Sequence, residues 1–277
     1  MMSVFICPVC KNALERKEKS YVCEKLHSFD IAKSGYVNLF ISQVSSKKVH
    51  GDDKTMIRAR SRFLDSGTYF FLADRLAGMV DSLALDGDIL LDAGCGEGYY
   101  TDIIKDRLLR EGKDCTVIGV DLSKDALISA SKRSKSIEFA ISSVFDLPIS
   151  SESVSLVWNI FAPLADAEYL RIIKDGGYFI RVYPLAEHLM GLKEKIYKNP
   201  YENPAEDLSL DGFELVLNEE LRRDVTLLDS EIIDALFKMT PYYYKTSESD
   251  QKKLSEIDRI ETPLAFGIAL YKKIARE

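Results

Sequence analysis

The stretch LLDAGCGEGYYT, Leu90 to Thr101, constrains this chain more than any other. An apolar run ends in Asp92, glycines follow at 94, 96 and 98, and a helix-like pattern begins at once. Such glycines permit positive φ and carry no Cβ, so a ligand can lie against bare backbone at the carboxyl end of a strand. A second apolar run, Thr116–Asp121 (TVIGVD), also ends in an acid, at 29 positions after Asp92.

The surrounding pattern repeats this unit. Strands are predicted at Asp88–Asp92, Thr116–Asp121, Ile137–Ile141, Ser155–Phe161 and Tyr178–Tyr183, with helices at Gly98–Leu109, Ser123–Arg133 and Ala165–Lys174, the last stopped by Gly176 and Gly177. Ahead of them, Met56–Leu64 (MIRARSRFL) and Tyr69–Leu83 have helical spacing. Beyond Pro184 the expectation is a helix at His188–Tyr197 and a closing antiparallel hairpin from strands near Phe213–Asn218 and Leu264–Tyr271. Strands alternating with helices give right-handed βαβ units. The predicted class is therefore α/β, a Rossmann-like, doubly wound, mostly parallel sheet of seven strands with a small N-terminal zinc-binding domain. The 277 residues divide as a zinc module over 1–40, a basic linker and helix over 41–68, and a catalytic domain over 69–277. Residues 42–55 (SQVSSKKVHGDDKT) read as an exposed arm.

The zinc expectation rests on spacing. Cys7 and Cys10 enclose two residues, twelve more precede Cys23, and three separate Cys23 from His27. Four N/S donors complete a tetrahedral Zn²⁺ shell with no open position, which makes the site structural. A segment of forty residues buries little core by itself, and a metal can substitute for one. Free thiols in a small fold are the plain alternative. Five cysteines are too few for a disulfide scaffold of this length, which places the chain in the reducing cytoplasm. No stretch approaches the ~20 apolar residues of a membrane span.

Charge is uneven. Residues 1–62 carry 12 Lys/Arg against 6 Asp/Glu, a net of +6, and residues 63–277 carry 25 against 38, a net of −13. A basic end on an acidic body fits contact between that end and a polyanion. Arg58, Arg60 and Arg62 are the expected phosphate contacts, and Phe29, Tyr36 and Phe40 tilt the module toward RNA. The alternatives are a solvated helix face and a small aromatic core.

The turn itself narrows the ligand. Its spacing is GxGxG, whereas dinucleotide sites use GxGxxG. Glu97 within it would repel a pyrophosphate but suits a cationic amino acid and a sulfonium. Asp121 can accept both ribose hydroxyls of an adenosine. These features resemble the class I S-adenosylmethionine-dependent methyltransferases. The resemblance implies a cofactor set of Tyr69, Asp92, Gly94, Gly96, Glu97, Gly98, Tyr99, Asp121, Leu122, Ser143, Val144, Asn159 and His188, with the loop from Ser142 to Phe145 along the adenine edge.

The Cys/His pattern together with HSFDIAKSGYVNL (His27 to Leu39), GDDKTMIRARSRFLDSGTY (Gly51 to Tyr69), LDAGCGEGYYT, IFAP and HLMGLKEKIY resembles the bacterial 23S rRNA (guanine-N1)-methyltransferases. That resemblance implies methyl transfer to N1 of a guanine in a domain II hairpin near the peptide exit tunnel. It also implies recognition of 23S rRNA by the zinc module and its cleft, and a homodimer; Tyr69, Gly96, Glu97 and His188 come to the cofactor site through it. No Asn-Pro-Pro-aromatic motif of amino-group methyltransferases is present; Asn159-Ile160-Phe161-Ala162-Pro163 stands in that place, which fits a ring nitrogen. Asp53 and Asp166 are base candidates by position alone. The competing readings are a methyltransferase of a small molecule or protein, with the zinc module as docking element, and a non-catalytic RNA-binding protein.

Overall fold

The computed structural model describes residues 2–41, 52–247, 251, 254 and 257–275. The first strands form an antiparallel ribbon, β1 (Met2–Ile6), β2 (Ala13–Arg16), β3 (Ser20–Cys23) and β4 (Ser28–Asp30), paired in that order. Then β5 (Tyr36–Asn38) leaves the ribbon and enters the main sheet. Residues 42–51 of the expected arm lie outside the described residues.

Two helices follow, α1 (Lys54–Asp65) and α2 (Phe70–Leu83). The alternating core is β6 (Ile89–Ala93), α3 (Tyr99–Arg110), β7 (Thr116–Asp121), α4 (Lys124–Arg133), β8 (Glu138–Ile141), β9 (Val154–Ile160), α5 (Asp166–Ile172) and β10 (Ile173–Pro184). It closes with α6 (Met190–Ile196), β11 (Phe213–Leu227), α7 (Ser230–Lys238) and β12 (Ile260–Lys273). The sheet order is β11-β12-β10-β9-β6-β7-β8-β5, with β12 antiparallel to both neighbours and the other pairs parallel. Strand order reverses beside β6, so the crevice of a doubly wound sheet falls at the carboxyl ends of β6, β7 and β9.

The apolar runs are explained by burial on both faces. Leu90, Val117, Leu156, Trp158 and Ile180 pack with α2, α3 and α4 on one side. Their neighbours Leu91, Ile118, Val157 and Phe179 face a second cluster. That cluster holds Tyr169 and Ile172 of α5 and also Phe5, Cys7, Leu14, Tyr21 and Cys23 of the ribbon. The crossover from β8 to β9 carries no helix, and the ribbon occupies that layer instead. Ile6 N–H donates to Pro148 O at 2.9 Å, Ser150 N–H donates to Val4 O at 3.2 Å, and Glu138 accepts from Arg16 at 3.2 Å and Tyr21 at 3.1 Å.

Several sequence expectations are corrected. The sheet has eight strands, because Tyr36–Asn38 pairs in parallel with β8. Tyr36 is buried, and Phe29 and Phe40 are partly buried against the core, so none of the three is an open stacking platform. The helix expected to run to Lys174 ends at Ile172, and Ile173 already pairs with Val154; Gly176 and Gly177 lie inside β10, within the break in its register between Ile173 and Tyr178. The last two strands pair antiparallel as expected, but α7 lies between them and β11 reaches Leu227.

The α6 helix rests on β12 so closely that a Cβ on Gly191 would lie 1.9 Å from Glu261 O and 3.0 Å from Thr262 Cα. Gly191→Ala must therefore separate the two elements. The expected loss is about 1–3 kcal/mol in urea unfolding, the range for an overpacked core; an unchanged midpoint would contradict this packing.

Candidate cofactor cleft and zinc centre

The ribbon brings Cys7, Cys10, Cys23 and His27 together, with their donor atoms all within 4.8 Å of one another. Cys7 Sγ lies 3.5 Å and Cys23 Sγ 3.4 Å from His27 Nδ1, and Cys10 and Cys23 sulfurs are 3.6 Å apart. A tetrahedron with Zn–S of ~2.3 Å has edges of about 3.8 Å, so this set fits a zinc ion. Each half of the site is a tight turn: Lys11 N–H donates to Cys7 O at 2.7 Å and Leu26 N–H to Cys23 O at 2.8 Å. Lys11 and Leu26 both take left-handed backbone (φ 60 and 63), a strain that shared ligands hold in place.

At the crevice, β6 runs into Gly94 with φ +91, where a Cβ would lie 2.4 Å from Ala162 Cβ. Only glycine permits that approach between the turn and the loop after β9. Three carboxylates converge here. Asp92 is buried; its Oδ2 accepts from Thr101 Oγ1 at 2.6 Å, and its Oδ1 is left without a partner. Burial pushes Asp92 up to about 7, against the hydrogen bond from the Thr101 hydroxyl. Glu97 is buried with Oε2 unpartnered, and burial raises it against the charges of Arg60 and Arg133. Asp121 accepts from Gly96 N–H at 3.0 Å and Ser123 N–H at 2.7 Å, and burial raises it as well.

A second group closes the mouth. Tyr69, the residue before α2, is buried with its hydroxyl 3.3 Å from His188 Nε2. Ala265 N–H donates to His188 Nδ1 at 3.1 Å, so Nδ1 is unprotonated and the ring proton sits on Nε2, facing Tyr69. Desolvation pulls His188 down to about 3, which keeps it neutral. Phe266 packs against both rings, at centroid distances of 5.1 Å from Tyr69 and 4.6 Å from His188. Phe161 lies nearly parallel to His188 at 6.4 Å, 45% exposed, in left-handed backbone with φ 55.

Other expected residues lie as follows. Gly98 precedes α3 in left-handed backbone, and Tyr99 opens the helix, buried beneath Arg133. Leu122 and Ser143 are partly buried and Val144 is buried beside the ends of β7 and β8. Asn159 Nδ2 donates to Tyr169 OH at 2.9 Å, Pro163 O at 3.1 Å and Ala93 O at 3.3 Å, so its amide braces the loop rather than facing open cleft. Asp53 caps α1 by accepting from Thr55 and Met56 N–H, and it also accepts from Tyr244 OH at 2.6 Å. Asp166 opens α5 and accepts from Ala167 N–H at 2.9 Å. Both proposed bases are thus helix-end residues. The three arginines separate: Arg58 is exposed, Arg62 pairs with Glu231 at 2.8 Å, and Arg60 turns into the cleft to meet Asp52 at 2.5 Å.

The family model described as "RlmA, N-terminal", a zinc ribbon, matches residues 5–48, and one described as "Methyltransferase domain" matches residues 90–177. The Bacillus subtilis (strain 168) protein YxjB, which carries a 23S rRNA (guanine-N(1)-)-methyltransferase name, is 30% identical over 98% of this chain and 98% of its own. The Streptomyces fradiae 23S rRNA (guanine(748)-N(1))-methyltransferase is 30% identical over 92% of this chain and 91% of its own. The chain belongs to the 23S rRNA (guanine-N1)-methyltransferase family.

As a member, it is an S-adenosylmethionine-dependent methyltransferase with a structural zinc. The cleft fits the cofactor on its own terms. The bare backbone of the glycine turn and the acids Glu97 and Asp121 match a cationic sulfonium ligand with a ribose. No helix among the described residues is long and apolar enough to cross a membrane. Sequence reasoning missed Thr101, which holds Asp92, and Phe161 at the mouth. Thr101 was visible as the hydroxyl in the first helical turn after the glycines, but Phe161 gave no signal beyond its place after a buried strand.

Because ribbon and body share one core, metal loss is expected to reach beyond the ribbon. Cys23→Ser should bind less than one zinc per chain by elemental analysis and lower the melting midpoint of the whole protein. Full zinc content, or an unchanged midpoint after metal loss, would contradict the shared core.

Proposed function

We propose that this chain transfers the methyl group of S-adenosylmethionine to N1 of a guanine in a 23S rRNA hairpin. One observation carries the reading: the match to relatives named for this activity runs through zinc ribbon and methyltransferase fold alike. The RNA substrate places the work in the cytoplasm.

S-adenosylmethionine supplies an activated methyl: the C–N bond to N1 forms as the C–S bond breaks, the electron pair stays on sulfur, and N1 gives up its proton. In-line transfer of this kind depends mostly on proximity and orientation. Phe161 is the side chain at the mouth best placed to orient a base. It is held in strained backbone, backed by Phe266 at 5.6 Å and next to Ala162, which touches the glycine turn. An exposed aromatic face can stack a base that has left its own helix. His188 donates from Nε2 and cannot take the N1 proton in this arrangement. Asp53 and Asp166 are engaged at helix ends, so the N1 proton passes to solvent or to a group that the RNA brings. Phosphate contacts fall to Arg58 and Arg62 on the exposed face of α1, with Arg60 withdrawn.

Reverse-transcription mapping of 23S rRNA from cells with and without the protein should reveal one N1-methylguanosine stop that depends on it. An identical map in both would sink the reading. Phe161→Ala should raise KM for RNA about 10-fold or more, the scale of one stacked base, with cofactor affinity unchanged. Equal effects on both ligands would mean that Phe161 only supports the cleft.

A further inference from the structure

We propose that the Arg60 guanidinium binds the carboxylate of the methionine moiety of S-adenosylmethionine. The inference rests on the glycine-turn cleft being the cofactor site. It moves Arg60 from the RNA face, where sequence placed it, into the reaction centre.

The ligand is not simply cationic. Its sulfonium and ammonium groups suit the acidic cleft at Glu97, and its ribose suits Asp121, but it also carries a carboxylate. A cleft lined by Asp92, Glu97 and Asp121 repels that carboxylate unless a cation stands among the acids. Among the described residues, the cations whose charge acts on Glu97 are Arg60 and Arg133. Arg133 is committed elsewhere, to Asp65 at 2.9 Å, with its guanidinium 5.6 Å from the centre of the Tyr99 ring.

Arg60 stands at the turn itself. A Cβ on Gly96 would be 3.4 Å from Arg60 Nη1, and that is the nearest atom it would meet. Burial works against its charge, and Asp52, Glu97 and Asp121 together overcome that. Among the described residues its one side-chain hydrogen bond runs from Nη2 to Asp52, which leaves Nη1 and Nε with donors to give. A guanidinium offers those donors as a planar fork that matches a carboxylate, which an ammonium does not. The position is also fixed. The α1 helix is capped by Asp53 and anchored through buried Phe63 and Leu64, and Asp52 O accepts from Ser123 Oγ at 2.8 Å beside Asp121. Arg60 is therefore held over the turn before any ligand arrives.

The test uses full-length, zinc-loaded protein and calorimetric titration of two probes, S-adenosylmethionine and its decarboxylated analogue, which keeps both cations and lacks the carboxylate. Wild type should prefer S-adenosylmethionine. Arg60→Gln should lose about 10- to 100-fold in affinity for it, the scale of a charge-assisted hydrogen bond, and stay within about twofold for the analogue. Arg60→Lys, which keeps a cation on the same helix, should retain part of the preference. Arg133→Gln should leave the preference intact. An equal loss of both probes in Arg60→Gln would make Arg60 a brace of the cleft and overturn the proposal. So would an unchanged preference in that variant, or its loss in Arg133→Gln. Wild type binding neither probe would remove the cofactor reading beneath it.

Discussion

Gathering three carboxylates, two of them buried, at one end of a sheet is the constraint that organises this protein. An isolated charge inside a protein is costly, so such groups neutralise, pair or wait for a ligand. All three responses occur here. Asp92 is shifted to about 7 and held by Thr101. Asp121 is paired with the Gly96 and Ser123 amides, one to each oxygen. Glu97 keeps an unpartnered oxygen beside a cation that comes from another helix. The glycine turn, the cap of α4 and the inward lean of α1 each answer the same electrostatic demand. A cofactor with two positive centres and one negative centre completes the balance.

The ribbon answers a different demand. A parallel sheet needs cover on both faces. The helices α2, α3 and α4 cover one face, but the β8–β9 crossover provides no helix for the other. Phe5, Leu14 and Tyr21 fill that layer, and β5 extends the sheet beyond β8. The zinc ion thus acts at a distance. It fixes two strained turns, these turns fix the ribbon, and the ribbon backs the strands that carry the cleft on their carboxyl ends.

Much of this was legible because backbone chemistry writes itself plainly. Strand, glycines, helix and acid in sequence order specify the β6–α3–β7 unit, and the Cys/His spacing specifies a ligand tetrahedron. The helix α2, buried on one face, shows its period, and β9, buried throughout, reads as a short apolar run. Where legibility failed, exposure was the cause. The outer part of β11 is a charged edge strand whose residues, Glu219 to Asp224, look like a loop, so its pattern stops at Asn218 although the strand runs to Leu227; α7, with its cap at Asp229 and a buried face, did carry a helical signal. The arginines of α1 failed for another reason. Composition cannot tell which face of a helix turns inward, and three residues read as one basic patch have three different settings: Arg58 exposed, Arg60 on Asp52 and Arg62 on Glu231. The role of Phe161 depends on a φ angle that no sequence pattern reports for phenylalanine.

The most direct measurement is an experimental structure of the zinc-loaded protein with S-adenosylhomocysteine. The ligand is expected on the backbone of Gly94 to Gly98, with its ribose on Asp121 and its amino acid end between Glu97 and Arg60. A ligand bound elsewhere, with the three acids and Arg60 arranged as they are without it, would contradict the account.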